Sequence, residues 1–396
     1  MPRILILHAY SRRNSGDGLL VDETVAVLRS AFGPSAAIQV LAIDAESFRE
    51  QYDVVQMPGL GDRRSLLTTL KTAWDLSVQA LGKPTAVIVG GQRIEPDLIV
   101  GVGGGYMRAK NPLEALKFLL AHLPQLFLAS RAQVPVLYFP QSIGPFIWPL
   151  SGLIRQLFAR IDQVFVRDDR SLQLLSGLKS CERCPDLAVI AIAEALQDAP
   201  RAPCAERALI IARDLPIRGR ARQTYLSRLN ELLDGLSGAE LIVQAEGRGN
   251  DDRAFYQAHW PERGPFRTVK DALADGLGGV VVSVRLHGAL GSILRGYPAV
   301  HLTYERKGFG AYSDLGIREL VHSVYHFDPD AVKQQAQALM LESSDFWNRI
   351  DQAGTKVRMD ARRLVSVARS AVVADAAHAG RAAVQQGQLG DEPSHT

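Results

Sequence analysis

The sequence contains few cysteines and no long apolar run. Its 396 residues include 3 cysteines, too few for a disulfide framework in a chain of this length. Cys181 and Cys184 form a CxxC pair, but no second pair completes a zinc site, so we interpret them as loop residues. No stretch of about 18 or more apolar residues predicts a transmembrane helix.

Neither sign of charge dominates the sequence either. The chain carries 45 Lys and Arg against 42 Asp and Glu, which does not resemble the basic stripe of a dedicated nucleic-acid binder. The amino-terminal stretch MPRILILHAYSRR has one short apolar run and no cleavage-site pattern, so it predicts a first strand rather than a signal peptide. These features predict a cytoplasmic globular protein without a nucleic-acid partner.

Short β-rich runs alternate with amphipathic segments along the chain, which predicts an α/β fold of parallel sheets flanked by helices. A stretch rich in Pro and Ala over 193–206 predicts a linker. It would separate an amino-terminal Rossmann-like lobe, 1–192, from a second such lobe, 207–376, which includes the closing helices. The last segment, 377–396, has few apolar anchors and predicts a flexible tail.

In open α/β sheets, ligands bind beyond the carboxyl ends of the strands. One apolar strand, 279–284, is followed directly by Arg285, Leu286 and His287. If the extended geometry persists, Arg285 and His287 point to the same face. Histidine transfers protons near neutral pH, and the arginine fork matches carboxylate or phosphate. We interpret the pair as catalytic; the alternative is that His287 caps the helix or packs in the core.

Two further junctions also suggest an anion site. Gly103, Gly104 and Gly105 follow an apolar strand, and glycines let the backbone approach an anion closely; the alternative is a bend between a strand and a helix. Arg167 ends another apolar strand. It would either bind an anion or form an ion pair at the edge of the core with Asp168 or Asp169.

The remaining junctions carry polar side chains. Gln141 ends a strand and can present its amide to a substrate hydroxyl. Asn14 and Asp17 follow the first strand in a loop that would cap the next helix, with Asp17 accepting N–H groups; the alternative is a simple turn. Two arginines, a histidine and a glycine-rich loop predict a site between the lobes for phosphate or a phosphorylated carboxylate, although a nucleotide sugar would need a similar site.

In order and spacing, these segments resemble the polysaccharide pyruvyl transferase family from Asn14 to Gly316. The shared elements are N-x-G-D (Asn14, Gly16, Asp17), G-G-G (Gly103–Gly105), Q-x-I-G-P (Gln141–Pro145), V-R-D-x-x-S (Val166–Ser171), P-D-L-A (Pro185–Ala188), S-V-R-L-H (Ser283–His287), K-G-F (Lys307–Phe309) and D-L-G (Asp314–Gly316).

The resemblance implies a two-lobed fold like that of GT-B glycosyltransferases, with the cleft between the lobes. It also implies transfer of the enolpyruvyl unit of phosphoenolpyruvate to a sugar diol, with formation of a cyclic pyruvate ketal and release of phosphate. His287 would be the acid/base. Arg167 and Arg285 would bind the donor, with Leu286 and Lys307 beside them, and neither a cofactor nor a metal is implied.

The acceptor implied is a sugar or lipid-linked glycan on the route to an exopolysaccharide of the cell envelope. Peripheral association with the inner membrane face and a homo-oligomer are both compatible with it. The sequence departs from the family pattern at Lys110, where an acidic residue is common, which implies a changed acceptor. Two alternatives stay open: a GT-B glycosyltransferase with Glu246 on a nucleotide ribose, and a binding protein with weakened catalysis.

Overall fold

The structure, a computed structural model, describes residues 1–58, 66–196, 201–246, 251–305 and 307–389. Its two main sheets are parallel, one in each half of the chain. The predicted α/β class and the two Rossmann-like lobes are therefore confirmed.

The first lobe is built on the larger sheet. Its strands are β1 (Arg3–Ala9), β2 (Ala37–Ala42), β3 (Asp53–Gln56), β4 (Val87–Val89), β5 (Gln92–Ile94), β6 (Leu98–Gly101), β7 (Gly104–Ala109), β8 (Val136–Phe146), β9 (Gln163–Val166) and β10 (Cys181–Arg183). The order across the sheet is β10-β9-β8-β6-β1-β2-β3, with β7 paired to β8, while β4 and β5 form a separate antiparallel pair.

The second lobe has a smaller sheet, with strands β11 (Ala208–Ile211), β12 (Glu240–Leu241), β13 (Val280–Ser283), β14 (Ala299–Thr303) and β15 (Val321–Ser323). The order is β12-β11-β13-β14-β15. All residues of β13 are buried, and the strand pairs in parallel with β11 and β14 on its two sides. This central position explains its unbroken apolar sequence, because a parallel strand is covered on both faces.

Helices connect the strands in both lobes. They are α1 (Ser15–Phe32), α2 (Leu66–Leu81), α3 (Pro112–Ala121), α4 (Leu123–Ala129), α5 (Leu150–Phe158), α6 (Asp169–Leu174), α7 (Leu187–Ala195), α8 (Gly219–Gly235), α9 (Asp252–His259), α10 (Val269–Leu273), α11 (Leu286–Leu294), α12 (Lys307–Asp314), α13 (Pro329–Leu341) and α14 (Ser344–Leu389). Short 3₁₀ turns lie at 45–48, 261–263 and 318–320.

One apolar core extends through both lobes. Buried residues of α1, α7 and α14 pack in the same cluster as the second sheet, while a second cluster joins the other face of the first sheet to α2–α5. Helix α14 returns to the first lobe, where Arg369 Nε donates to the carbonyl of Ala31 at 2.7 Å. The sequence assigns this helix to the second lobe alone, but its packing ties it to both.

Three boundaries differ from the sequence expectations. Helix α7 reaches Ala195 and so enters the predicted linker, whose residues 197–200 lie outside the described part. Helix α14 continues to Leu389, into the predicted tail. The glycine turn leads into strand β7 rather than a helix, because β8 supplies a pairing partner that local sequence does not reveal. Within the described residues, no helix is both long and apolar enough to cross a membrane.

Candidate active site

A cavity of about 310 Å³ lies between the lobes, at the carboxyl ends of both sheets. Its first-lobe lining is Tyr10, Asn14, Asp17, Leu20, Gly105, Tyr106, Arg108 and Arg167. Its second-lobe lining is Arg213, Gln244, Arg285, Leu286, His287, Tyr304, Glu305 and Lys307. The lobes also meet in the backbone here, through an antiparallel bridge between Asn14 and Ala245. Arg167, Arg285, His287 and Lys307 thus share one cavity.

Arg167 is held at the end of β9 by a buried network. Its Nη1 donates to Asp186, and its Nε donates to Ser142 Oγ at 2.9 Å. Asp186 also caps α7, because its Oδ1 accepts from the N–H of Ala188 at 2.9 Å. The Nη2 atom of Arg167 is buried and has no hydrogen-bond partner among the described residues. This leaves one guanidinium edge available to an anion.

The predicted alternative for Arg167, an ion pair with Asp168 or Asp169, is wrong. Asp168 caps α6 by accepting from the N–H of Ser171 at 2.9 Å. Asp169 is 97% exposed and faces Arg183. The partner is Asp186, which lies in the P-D-L-A element.

His287 forms part of the cavity wall opposite Arg167. Its Nε2 lies 3.8 Å from Asp186 Oδ2 and is a buried nitrogen without a hydrogen-bond partner in the described part of the chain. Burial acts to raise the pKa of Asp186, but Arg167 and His287 outweigh it and hold that pKa well below its usual range. An ionised carboxylate therefore lies between the guanidinium and the imidazole, and it can stabilise the imidazolium.

The first lobe fixes the position of the His287 ring through Gly16. A Cβ atom at Gly16 would lie 2.8 Å from His287 Cβ and 2.9 Å from Nδ1. Real contacts of that length do not occur, so only glycine lets α1 approach this closely. This explains the glycine in the N-x-G-D element.

Arg285 has a different environment from the one that its spacing predicts. Helix α11 begins at Leu286, so the extended geometry ends and the two side chains diverge. Arg285 Nε donates to both carboxylate oxygens of Asp252, at 3.1 and 2.9 Å. Asp252 is fully buried and accepts further bonds from the N–H groups of Gln244 and Ala245. Arg285 lines the cavity but is anchored in its own lobe.

The glycine turn brings the backbone next to two cations. A Cβ atom at Gly105 would lie 3.2 Å from Arg167 Nη2 and 3.7 Å from Lys307 Nζ. A Cβ at Gly103 would lie 2.9 Å from Leu187 Cδ1, and one at Gly104 would lie 2.5 Å from the Tyr106 ring. Gly105 lines the cavity, whereas the other two glycines permit the packing behind it.

Asn14 and Asp17 have different hydrogen-bond partners. Asn14 caps α1, its Oδ1 accepting from the N–H of Gly16 at 3.2 Å. The capping role predicted for Asp17 is therefore wrong, because its Oδ1 accepts from Tyr106 Oη at 2.6 Å and its Oδ2 from Asn14 Nδ2 at 3.0 Å. Burial raises the pKa of Asp17, against the opposing effects of Tyr106 and His287. Asp17 is a partly buried carboxylate in the cavity wall.

Three residues discussed from sequence do not line the cavity. Gln141 is fully buried, and its Nε2 donates to the carbonyl of Val102 at 2.7 Å, which ties β8 to the end of β6. Lys110 is half exposed, with its Nζ 3.8 Å from Glu114. Glu246, the carboxylate that a nucleotide ribose would require, is half exposed and pairs with Arg253 at 2.6 Å.

A charged pair that sequence reasoning missed joins the lobes at the cavity. Arg108 Nη1 of β7 donates to Glu305 Oε1 at 2.6 Å, and Lys307 Nζ lies 2.9 Å from Glu305 Oε2. Burial acts to raise the pKa of Glu305, but the two cations dominate and hold it at about 2. The only sequence signals were an arginine three residues after the last of the glycines and a glutamate after β14, and neither reveals a partner.

We expect Glu305→Gln and Arg108→Gln each to lower the free energy of unfolding by about 1 kcal/mol, with less than additive loss in the double variant. A carboxylate whose pKa is lowered by folding stabilises the folded state at pH values above its ordinary pKa. For Glu305 that contribution disappears as the pH falls towards about 2. The difference between wild type and Glu305→Gln should therefore shrink on acidification, as measured by urea unfolding. The exposed Glu262→Gln is the control; additive losses would show that the pair is not coupled.

Comparisons with known proteins show the family and the fold of the chain. A family model described as polysaccharide pyruvyl transferase matches residues 14–306, and no curated protein matches the chain. Among solved structures, S. aureus MnaA with UDP is 13% identical, with a TM-score of 0.53, over 92% of this chain and 95% of that one. UGT73P12 of Glycyrrhiza uralensis, complexed with glycyrrhetinic acid 3-O-monoglucuronide, is 10% identical, with a TM-score of 0.51, over 98% and 100%.

Os79 of O. sativa in complex with UDP is 12% identical to the chain, with a TM-score of 0.51, over 93% of this chain and all of that one (100%). At such identities the likeness shows the fold alone. It confirms the GT-B-like arrangement of the two lobes.

Proposed function

Because the chain belongs to the polysaccharide pyruvyl transferase family, we propose that it transfers the enolpyruvyl unit of phosphoenolpyruvate to two hydroxyls of a sugar. The product is a cyclic pyruvate ketal on a cell-envelope polysaccharide or its precursor, and phosphate is released. The observation that supports this most directly is the buried Arg167 Nη2, which lacks a partner in the described structure and lies beside Gly105 and Lys307.

The donor carries a carboxylate and a phosphate, and the cavity offers matching cations. Arg167 Nη2 and Lys307 Nζ both lie within 4 Å of the position that a Cβ of Gly105 would take, where a planar anion can meet the fork of one and the ammonium of the other. Arg285 and Leu286 complete the second-lobe wall. We assign donor binding to Arg167 and Lys307, with Arg285 supporting the site from its anchor on Asp252.

His287 is proposed as the acid. Protonation of the donor methylene carbon forms a C–H bond and leaves an oxocarbenium-like centre at the carbon that carries the phosphate. One sugar hydroxyl adds to that centre and loses its proton. The second hydroxyl then displaces phosphate with cleavage of the C–O bond and gives its proton to the departing phosphate, which closes the ketal ring. A positioned acid supplies about 10²–10⁴-fold of the rate, and cations on the departing phosphate stabilise the charge that develops.

The acceptor side of the cavity combines rings and carboxylates. Tyr10 and Tyr106 stack with centroids 6.3 Å apart, and such rings give a flat apolar surface with a polar edge. Asp17 and Glu305 are carboxylates in the same cavity. Asp17 and Glu305 thus supply carboxylates to the cavity, whereas position 110, occupied by a lysine, lies outside its lining. The acceptor is proposed to be a sugar or a lipid-linked glycan.

Isothermal titration calorimetry with phosphoenolpyruvate and with UDP-sugars tests the donor. We expect the wild type to bind phosphoenolpyruvate. Gly105→Ala should weaken that binding by about 10- to 100-fold, because a charge-assisted contact contributes about 1.5–3 kcal/mol. Gly152→Ala on α5 is the matched control, because a Cβ there meets nothing within 4 Å. Binding of a UDP-sugar in place of phosphoenolpyruvate would identify a glycosyltransferase instead.

A further inference from the structure

Helix α2 presents an apolar stripe to solvent. Leu67, Leu70, Trp74, Val78 and Leu81 follow one another at helical spacing, and their exposed fractions are 76, 47, 70, 47 and 67%. A surface helix normally turns its apolar stripe towards the core. Here α2 already contributes buried residues of its own to the core, so the exposed stripe is a second apolar surface.

The stripe continues onto neighbouring helices. Leu70 and Trp74 line a groove of about 420 Å³ together with Leu119 of α3, Phe127 of α4 and Leu153 of α5. One to two turns before Leu119, the same helix exposes Leu113 and Leu116, and Trp148 just before α5 is 89% exposed. We call this surface, formed by the exposed apolar residues of α2, α3 and α5, the apolar face. Contiguous exposed apolar surface of this kind marks an interaction site.

Exposed lysines lie on two helices of the apolar face. Lys71 lies between Leu67 and Trp74 in the helical repeat of α2, and Lys117 lies one turn after Leu113 on α3; both are exposed. Positions 108–160 carry six Lys and Arg and one Glu. Of these, Arg108 pairs with Glu305 in the cavity and Lys110 pairs with Glu114, while α2 adds the exposed Asp75. An apolar surface with exposed tryptophans and a cationic border has the composition of an interfacial membrane-binding surface.

We propose that the apolar face docks the protein on a bilayer that contains anionic lipids. A second copy of the chain fits less well, because a two-fold dimer places the same patch against itself, and two surfaces with the same excess of basic residues would then meet. Anionic headgroups instead complement them. This inference does not depend on the donor.

Docking at this face would place the cavity close to the bilayer. Arg108 of β7 lines the cavity, and only three residues separate it from Pro112, the first residue of α3. A short segment of the first lobe therefore connects the cavity wall with the docking surface.

Co-sedimentation of the full chain with vesicles provides the test. We expect binding to vesicles of phosphatidylcholine with phosphatidylglycerol, weaker binding in high salt, and little binding to phosphatidylcholine alone. Trp74→Glu should reduce the affinity by about tenfold or more, as should the double variant Lys71→Glu/Lys117→Glu. Leu277→Glu is the matched control, because Leu277 is 62% exposed and lies in the second lobe. This variant should bind vesicles as the wild type does.

Either of two outcomes would overturn the proposal. If the wild type does not sediment with anionic vesicles, the face has another occupant. A dimer in solution that Trp74→Glu converts to a monomer would then identify a second copy. If Trp74→Glu and the lysine variant bind vesicles as tightly as the wild type, with unchanged melting temperatures, the docking surface lies elsewhere.

Discussion

His287→Ala is expected to lower turnover by about 10²-fold or more while the affinity for phosphoenolpyruvate stays close to wild type. The imidazole faces the cavity, with Nε2 3.8 Å from the Asp186 carboxylate. Two cations next to Gly105 remain to hold the donor in the variant. Phosphate release would report turnover, and calorimetry would report donor affinity.

His326→Ala provides the control for loss of a histidine, because His326 is exposed and does not line the cavity. Both variants should keep the wild-type melting temperature, since alanine at 287 removes atoms from the contact with Gly16 and adds none. An equal loss of affinity and turnover in His287→Ala would show that the residue binds the donor and that another group supplies the proton.

Arg285→Ala is expected to lower the free energy of unfolding by about 3–5 kcal/mol, because it leaves a buried charge without its partner. Asp252 is fully buried and accepts from the Nε of Arg285 with both oxygens. The double variant Arg285→Met/Asp252→Leu should recover part of that loss, since neither charge then remains. Urea unfolding measures the three proteins against wild type.

The same variants separate the structural role of Arg285 from a role in donor binding. Asp252→Asn removes the counter-charge but leaves the arginine in place. If Arg285 binds the donor directly, phosphoenolpyruvate affinity falls in Arg285→Ala and is retained in Asp252→Asn. Equal affinities in the folded fraction of both variants would limit Arg285 to positioning the cavity wall.

Residues that follow strands could be located from the sequence, because the end of an apolar run marks the end of a buried strand. Arg167 and His287 came from that rule, and both line the cavity. It could not locate Asp186, whose role depends on α7 returning between the lobes, nor the pairing of Arg108 with Glu305 across 197 positions. The Arg108–Glu305 contact, and the approach of His287 to Asp186, exist only once the two lobes meet.

Local sequence patterns also gave the wrong structure for the segment after the three glycines. Three glycines in a row are typical of a turn, yet β7 begins at Gly104 because β8 provides hydrogen-bond partners along its length. Spacing likewise suggested that Arg285 and His287 share a face. Helix α11 begins between them, so one side chain reaches Asp252 and the other reaches towards Asp186.

The return of α14 to the first lobe has a consequence for biosynthesis. Arg369 donates to the carbonyl of Ala31, 338 positions earlier, and apolar residues of α14 pack in the same core as α1. During translation, at about 5–20 residues per second, the surface of α1 that faces α14 would stay uncovered for roughly 20–70 s, until α14 has been synthesised. The first lobe is thus begun early on the ribosome and completed only when the carboxyl-terminal helix has been made.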